Sequence, residues 1–390
     1  MEKVLFVHDG PLRRDSDDNY YGVQAGDTQR QRYLSLGDSI TYMMRLKMIS
    51  DAERSKYSLI KKEKFSFVEV PNFLSISKLS NRKKAAEIIK REVDNHDIIV
   101  VRLPSATGYI AFNYAKKINK PILVELVACV HDSLYYYDWR GKLMAKLKML
   151  QYKKTLQKAN HVIYVTDKYL QQKYPSPSKS VNCSNVVVNY TEDSVLEKRL
   201  AKIDNKPSDE IMTLCTVAAI DVKYKGQAEV IKAVSILKKQ NIFVKYKIVG
   251  QGNPERLNNI IQTCGVEDLV DIVGPVKHDK VFEFIDGVDV YVQPSKTEGL
   301  PRAVIEALSR GCPSIGSRVG GIPELIQQEL LFNSESTTEI AEVIKRISNK
   351  DLQRKVAKEN FEKAKEYQFE IIDKRRKSFY KEFKNDSKLI

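Results

Sequence analysis

The chain has 390 residues, a formal net charge of +15 and a hydrophobic content of 42%. One ordinary core seldom spans such a length, so two domains are predicted. The composition is that of a globular protein, and no apolar run reaches the ~18 residues that a membrane-spanning helix needs. The positive charge predicts an anionic partner: a phosphorylated substrate, an anionic lipid surface or a nucleic acid.

The first half alternates short β-branched runs with helical patterns. Strands are predicted at 4–8, 65–70, 98–102, 122–126 and 162–166, and helices at 83–93 and 109–117. This alternation is typical of a doubly wound α/β domain with a parallel sheet. The polar loop that begins at His8, with Arg32 and Tyr33 near its end, is interpreted as an acceptor or phosphate loop. Asp15-Ser-Asp17 has the spacing of a metal-binding pair, but it lies in a charged loop and is not interpreted as a metal site.

A basic helix is predicted between 140 and 158, because seven cations occur there among apolar residues and without an acidic residue. The cations are Arg140, Lys142, Lys146, Lys148, Lys153, Lys154 and Lys158, and the apolar residues include Leu143, Met144, Leu147, Leu150, Tyr152 and Leu156. Either the apolar residues pack on the helix's own domain, or the helix lies on an anionic membrane surface. Nucleic-acid binding is the weakest interpretation, because no DNA- or RNA-binding motif is present.

The second half repeats the alternation after a polar stretch at 189–204. Strands are predicted at 212–218, 245–249, 270–273 and 289–292, and helices at 227–238, 254–263, 280–285 and 301–310. The tail from 351 predicts one or two long amphipathic helices. Two such α/β domains predict a ligand cleft between the carboxyl ends of their sheets.

The segment from Ser295 to Ala307 carries two carboxylates, Glu298 and Glu306, on either side of a Gly-Leu-Pro turn. Pro301 is predicted at the first helical position, which leaves the Gly299 and Leu300 amides available to an anion or a sugar oxygen.

Glu306 has apolar neighbours, which predict burial, and a buried carboxylate needs a partner. The two hydroxyls of a ribose would donate two hydrogen bonds to it. The alternative is an ion pair within the helix with Arg302 or Arg310, four positions to either side.

Three further segments follow predicted strands. Lys223-Tyr-Lys225-Gly226 opens a helix, so its lysines are candidates to neutralise a diphosphate. Gly250-Gln-Gly252 and Gly320-Gly321 would let backbone approach a ligand closely, although each is equally well explained as a tight turn. In the first half, His131 and Asp132 close a strand and are candidates for a cleft-facing site, although a lone histidine is more often structural.

The order of these motifs resembles that of the family 4 glycosyltransferases, which have the two-domain GT-B fold. The residues that carry the resemblance are Lys225-Gly226, Gly250, Gly274, Pro294-Ser295, Glu298 to Glu306 and Gly320-Gly321-Ile-Pro-Glu324. The first half is similar to the subgroup that builds bacterial capsular polysaccharides and exopolysaccharides, through Arg102-Leu-Pro-Ser105, Lys120-Pro-Ile-Leu-Val-Glu125 and Cys183-Ser-Asn-Val186.

The resemblance implies a domain division into 1–195 for the acceptor, 196–366 for the donor, and a helix at 367–390 that crosses back to the first domain. It implies that Glu298 holds donor-sugar hydroxyls, that Glu306 binds ribose, and that Lys225 binds the diphosphate. Further donor contacts are implied at Gly299, Leu300, Gly250, Val276, Gly320 and Gly321, and a contact with the transferred sugar at His131 or Asp132.

The implied reaction is metal-independent sugar transfer with retention, from a UDP- or GDP-sugar to a glycan or a polyprenyl-diphosphate-linked acceptor, without a cofactor. The family usually has an arginine where this chain has Ala218-Ala219, so either Lys223 substitutes for it or the diphosphate is held more loosely. A nucleotide-sugar epimerase on the same fold is the alternative. Five scattered cysteines without metal-ligand spacing favour a reduced, cytoplasmic protein, at the inner face of the membrane if the basic helix binds lipid.

Overall fold

A computed structural model describes residues 2–22, 32–54, 57–60, 63–73, 80–277 and 280–387. The chain forms two compact units. Unit 1 comprises Met1–His131, Met144–Asn185 and Asp373–Ile390, and unit 2 comprises Asp132–Leu143 and Val186–Ile372. The main passage from unit 1 to unit 2 is therefore between 185 and 186, the short segment 132–143 also groups with unit 2, and the last residues of the chain group with unit 1.

Unit 1 is built on a nine-stranded sheet. Its strands are β1 (Lys3–Arg14), β2 (Tyr20–Gly22), β3 (Ser39–Met48), β4 (Ser58–Leu59), β5 (Phe65–Glu69), β6 (Ile98–Leu103), β7 (Ile122–Leu126), β8 (His161–Tyr164) and β9 (Lys179–Asn182). The order is β4-β2-β1-β6-β7-β8-β9, and β3 pairs with β1 and β5. β1 is parallel to β3 and β6 but antiparallel to β2. The buried, almost wholly apolar sequences of β6 and β7 are typical of parallel strands covered on both faces.

The helices of the first half connect these strands. They are α1 (Asp51–Arg54), α2 (Asn81–Asp94), α3 (Ala106–Lys117), α4 (Val130–Tyr135), α5 (Trp139–Lys158) and α6 (Tyr169–Lys173). The Asp9 carboxylate, after the buried part of β1, accepts the Ala106 and Thr107 amides at 2.5 and 2.9 Å. The Ser105 hydroxyl accepts the Gly108 amide at 2.8 Å. Side chains therefore cap the first turn of α3.

Unit 2 is built on a six-stranded parallel sheet. Its strands are β10 (Met212–Val217), β11 (Val244–Val249), β12 (Val270–Gly274), β13 (Val290–Gln293), β14 (Ser314–Ser317) and β15 (Leu331–Phe332), in the order β12-β11-β10-β13-β14-β15. The later helices are α7 (Asp193–Asn205), α8 (Gln227–Lys239), α9 (Glu255–Cys264), α10 (Val281–Gly287), α11 (Arg302–Ser309), α12 (Thr337–Ile347), α13 (Lys350–Lys365) and α14 (Phe369–Ser387). One continuous apolar core joins the sheet to helices α8 to α13.

The predicted α/β class with doubly wound parallel sheets is confirmed. The differences are local. The polar stretch at 189–204 contains α7, and β3 is a long strand that the pattern did not predict. Pro301 is the N-cap of α11 rather than its first helical residue. His131 and Asp132 lie in the short helix α4, not at the strand end.

Candidate active site

The loops that carry the predicted donor-site residues all leave the carboxyl ends of unit 2 strands. Lys225 follows β10, Gly250 follows β11, Glu298 follows β13 and Gly320 follows β14. β10 lies between β11 and β13, and β14 is next to β13. Because parallel strands end at the same edge of a sheet, these four loops are neighbours at the edge where ligands bind in α/β proteins.

Lys225 and Glu298 form the central contact of this edge. The Lys225 Nζ lies 2.6 Å from Glu298 Oε1, and the two side chains are 22% and 13% exposed. The same carboxylate oxygen accepts the Ser295 hydroxyl at 2.8 Å and the Gln293 side-chain amide at 3.2 Å. The structure therefore brings together the two residues with the sharpest predicted roles, as a partly buried, hydrogen-bonded ion pair.

The Lys225 loop is fastened to the loop after β13. Gly226 follows the 3₁₀ turn Lys223–Lys225, and its own φ is +77°. A Cβ on Gly226 would lie 2.0 Å from the Pro294 carbonyl oxygen. The Lys296 amide also donates to the Tyr224 carbonyl at 2.7 Å. Glycine is required here because both the backbone conformation and the space exclude a side chain. Lys223 is exposed on the same turn.

The double glycine packs on the backbone of the Glu298 turn. Gly320 has φ of +59°, and a Cβ on it would lie 2.1 Å from the Glu298 carbonyl oxygen. The Gly321 amide donates to the Gly299 carbonyl at 2.7 Å. The group that Gly320 approaches closely is the backbone of the loop that presents Glu298, and contact of the double glycine with a ligand stays a prediction.

Gly250 makes the third such contact. A Cβ on it would lie 1.8 Å from the Ala218 carbonyl oxygen, and its amide donates to the Gly274 carbonyl at 3.0 Å. Gly250 thus packs on Ala218-Ala219, the place where the resembled family usually has an arginine. Val276, two residues beyond β12, is half-buried against the core of unit 2.

Glu306 lies in α11 and is buried. Arg310, one of the two candidates for an ion pair with it, binds Asp286 through two hydrogen bonds of 2.8 and 2.5 Å. Leu300 is half-buried against the core, in the turn that precedes the helix.

His131 and Asp132 are separated from this edge in the chain and lie in α4. The His131 amide donates to the Tyr174 hydroxyl at 3.2 Å. His131 ends the first segment of unit 1, and Asp132 begins the first segment of unit 2. The assignment of either side chain to the transferred sugar stays a prediction.

A second polar cluster, which the sequence did not predict, lies at the carboxyl ends of β6 and β7 in unit 1. Glu125 is fully buried and binds Arg102 at 2.8 Å, Arg376 of α14 at 3.5 Å and the Tyr33 hydroxyl at 2.9 Å. Burial by itself would raise the pKa of Glu125, but Arg102, Arg376 and Arg32 together lower it to about 2. The carboxylate is therefore ionised throughout the neutral range.

Helix α5 has two unlike apolar faces. Ala145, Tyr152 and Leu156 are buried. Other apolar residues are exposed: Trp139 (68%), Leu143 (73%), Leu147 (59%) and Leu150 (47%). Spacings of four, four and three residues place these four side chains on one face. The helix thus presents an apolar stripe to solvent, with lysines beside it.

Two kinds of feature are absent from the described residues. No three His, Cys, Asp or Glu side chains in them are grouped so that they could hold a metal ion. Within the same part of the chain, no helix is both long and apolar enough to cross a membrane.

Comparison with known proteins identifies the family. The sequence profile described as “Glycosyl transferases group 1” matches residues 198–364, which include every donor-site residue discussed above. Protein CapJ of Staphylococcus aureus is 30% identical over 392 residues, covering 98% of this chain and 97% of CapJ. The chain belongs to the group 1 glycosyl transferases.

A further relative is also similar in sequence, and a solved structure is similar in fold. The amylovoran biosynthesis glycosyltransferase AmsK of Erwinia amylovora is 34% identical over 126 residues, covering 30% of this chain and 31% of AmsK. The solved structure of Anabaena HepE in complex with UDP-glucose aligns over the full length of both chains, with a TM-score of 0.64 and 13% identity. The predicted family and the GT-B fold are confirmed. Nothing in the comparisons supports the epimerase or nucleic-acid-binding alternatives.

Proposed function

We propose that this glycosyltransferase moves a sugar from a nucleotide-sugar donor to a glycan acceptor in the synthesis of a bacterial surface polysaccharide. The Lys225–Glu298 pair at the carboxyl edge of the unit 2 sheet carries the proposal, because it places a cation for a diphosphate next to a carboxylate for sugar hydroxyls. The name of AmsK, an amylovoran biosynthesis glycosyltransferase, supports a polysaccharide as the acceptor class. The UDP-glucose complex of HepE supports a nucleotide sugar as the donor class.

In the proposed mechanism, Lys225 neutralises the charge that develops on the leaving diphosphate. The Gly299 and Leu300 amides precede α11 and add donors to the same region, while Glu306 binds the ribose hydroxyls. Glu298 accepts hydrogen bonds from the transferred sugar and supports the positive charge of its transition state. Because Lys225 supplies the cation, the proposal needs no metal ion.

The chemical step breaks the bond between the anomeric carbon and the diphosphate oxygen and forms a bond to the acceptor hydroxyl oxygen. The acceptor's proton passes to the leaving phosphate oxygen, on the same face of the sugar. Retention of the anomeric configuration follows, and no pair of carboxylates acts as nucleophile and acid as in a glycosidase.

Replacing Glu298 tests the proposal. Glu298→Gln keeps the shape but removes the charge that faces Lys225, so we expect the rate of transfer from a labelled nucleotide sugar to fall on the order of 10²-fold or more. Glu283→Gln, on an exposed residue of α10, is the control. Transfer by Glu298→Gln at close to the wild-type rate would contradict the role. Conversion of the donor to an epimer without acceptor would support the alternative enzyme class instead.

We further propose that the acceptor is linked to a lipid and that the enzyme works at the cytoplasmic face of the membrane. The exposed apolar stripe of α5 and its flanking cations support this, because that combination fits an anionic lipid surface. A helix with seven cations, no acidic residue and four large apolar side chains exposed on one face would be unusual as a purely solvated surface. Flotation with vesicles that contain phosphatidylglycerol is the measurement that tests it.

A further inference from the structure

A directed chain of hydrogen bonds ends on the carboxylate of Glu298. The Tyr291 hydroxyl donates to Gln293 Oε1 at 2.8 Å, Gln293 Nε2 donates to Ser295 Oγ at 2.8 Å, and Ser295 Oγ donates to Glu298 Oε1 at 2.8 Å. We call these three residues before Glu298 the β13 relay. Gln293 Nε2 also lies 3.2 Å from Glu298 Oε1, so the carboxylate receives donors from two members of the relay.

The direction of the relay follows from its last member. A carboxylate only accepts hydrogen bonds, so the Ser295 hydroxyl must donate to it and its oxygen must accept from Gln293. The amide oxygen of Gln293 then faces Tyr291, whose hydroxyl donates. Burial raises the pKa of Tyr291 well above its usual value, so this hydroxyl keeps its proton at any pH at which the enzyme works.

The relay is buried and belongs to one short segment. Tyr291, Gln293 and Ser295 are at most 2% exposed, whereas Glu298 reaches the surface. Tyr291 and Gln293 lie in β13, which is paired on both sides, by β10 and β14. Buried polar groups with all partners in place fix one arrangement, because losing one partner would leave others unsatisfied. The relay therefore connects the rigid centre of the sheet to a side chain at its edge.

From this geometry we propose that Ser295 and Gln293 are positioning residues that hold the Glu298 carboxylate ready for the donor sugar independently of Lys225. The inference rests on the proposed function of Glu298 in sugar transfer. Lys225 is expected to turn towards the diphosphate when the donor binds. Two of the three donors to Glu298 Oε1 then remain, and both belong to the relay.

The relay also selects the carboxylate oxygen that meets the sugar. Oε1 already accepts three donors: Lys225 Nζ, Ser295 Oγ and Gln293 Nε2. Among the described residues, nothing donates a hydrogen bond to Oε2. A sugar hydroxyl can therefore bind Oε2 without displacing the relay. An unrestrained glutamate would lose side-chain entropy when the donor fixes it, and the relay fixes this one before the donor arrives.

Single substitutions along the relay test the inference. We expect Ser295→Ala to lower kcat about 10- to 100-fold, because small displacements of a catalytic group cost rates of this size. Gln293→Met and Tyr291→Phe should lower kcat by successively smaller factors, since each lies further from Glu298. The affinity of each variant for inorganic diphosphate, measured by calorimetry, should stay within about twofold of wild type, because that probe depends on Lys225. Lys225→Met should lower kcat and also lose the diphosphate affinity, so the diphosphate measurement separates loss of the cation from loss of the relay.

Matched controls come from the same core. Ser314 is fully buried and donates to the Cys312 carbonyl, and the Tyr246 hydroxyl ends on Thr216 rather than on the relay. Ser314→Ala and Tyr246→Phe should keep the wild-type kcat. The inference is overturned if Ser295→Ala keeps the wild-type kcat, if its diphosphate affinity falls in step with kcat, or if the control variants lose as much. A wild-type enzyme that transfers no sugar would instead overturn the proposed function.

Discussion

Glu125 is a buried carboxylate of unit 1 whose charge is compensated by two arginines and a tyrosine hydroxyl. Arg102 and Arg376 contact it directly, and the Tyr33 hydroxyl donates to both of its oxygens. Arg376 belongs to α14, so this carboxylate links β7 to the returning C-terminal segment of the same unit. Removing one member of such a cluster leaves buried charges without compensation, which costs more than the intact cluster contributes.

We expect Glu125→Gln to lower the free energy of unfolding at pH 7 by about 3–5 kcal/mol. The pKa of Glu125 is lowered from 4.5 to about 2 on folding, so its contribution is complete above about pH 4.5 and is lost as the pH falls towards 2. The difference between variant and wild type should therefore shrink across that interval. Urea unfolding followed by circular dichroism between pH 2 and 7 measures it.

The comparison for this prediction is Glu382→Gln, which removes an exposed partner of Lys179 and should change stability by less than about 1 kcal/mol. A difference for Glu125→Gln that stays constant from pH 7 to pH 2 would show that ionisation of this residue does not stabilise unit 1.

Single residues differed in how well the sequence predicted their place. Lys225 and Glu298 follow apolar runs that any parallel sheet brings to one edge, so their meeting could be predicted from order alone. Gln293 and Ser295 could not be singled out, because a polar residue at the end of a strand has no periodic pattern. For Gly250 and Gly320 the sequence left contact with a ligand and a tight turn open, and it predicted no close contact at Gly226. The atoms that these glycines approach are backbone groups of other loops, which composition cannot identify.

At the scale of elements, α5 is the helix whose role the structure changes most. Its sequence allowed either a packed stripe or an exposed one, since both faces contain apolar residues. The structure shows that both exist, one buried and one exposed. Strand β3 was missed for a different reason: its inner half is buried but its outer half ends in charged and exposed residues, so neither alternation nor an apolar run is maintained.

The lipid-binding proposal predicts the effect of charge reversal on this helix. We expect changing Lys146, Lys148 and Lys153 to Glu to abolish most flotation with phosphatidylglycerol vesicles, because each cation near an anionic surface contributes about 1 kcal/mol. Changing Leu143 and Leu147 to Ser should weaken binding at all salt concentrations, because the apolar contribution is not screened.

The control for charge is the reversal of Lys239, Lys355 and Lys358, which are exposed on α8 and α13 and change the net charge equally. Equal flotation of wild type and the α5 triple variant would mean that this face is only solvated. Loss of flotation in the control variant would indicate a general charge effect rather than a binding face.

The whole molecule combines two α/β units in which the chain returns to unit 1 at its end. The strand-and-helix alternation predicted both units. The exact division could not be predicted, because the segment after Val186 is polar without a linker composition and continues into α7. Asp132–Leu143 groups with unit 2 because of contacts with residues distant in the chain. The local order of apolar and polar residues does not predict such contacts.

A panel of nucleotide sugars should reveal the donor through its effect on melting. At one hundred times its dissociation constant, a ligand adds about 2.7 kcal/mol to the stability of the folded protein, which is a shift of several degrees. We expect one UDP- or GDP-sugar to exceed the others, and Lys225→Met to reduce that shift. Identical melting temperatures for the whole panel at millimolar concentration would contradict a preformed donor site in unit 2.

The glycine contacts have a consequence for anyone who wishes to change the donor. Gly226 rests on Pro294, Gly320 on Glu298 and Gly250 on Ala218, each at a distance that leaves no room for a single added carbon. The backbone of each of these loops therefore packs directly against the backbone of another. A single loop taken from a relative with a different sugar preference would clash with neighbouring loops of a different backbone shape. The loops after β10, β11, β13 and β14 should therefore be exchanged together, as one set. Chimeras of two relatives should fold when all four loops come from the same parent.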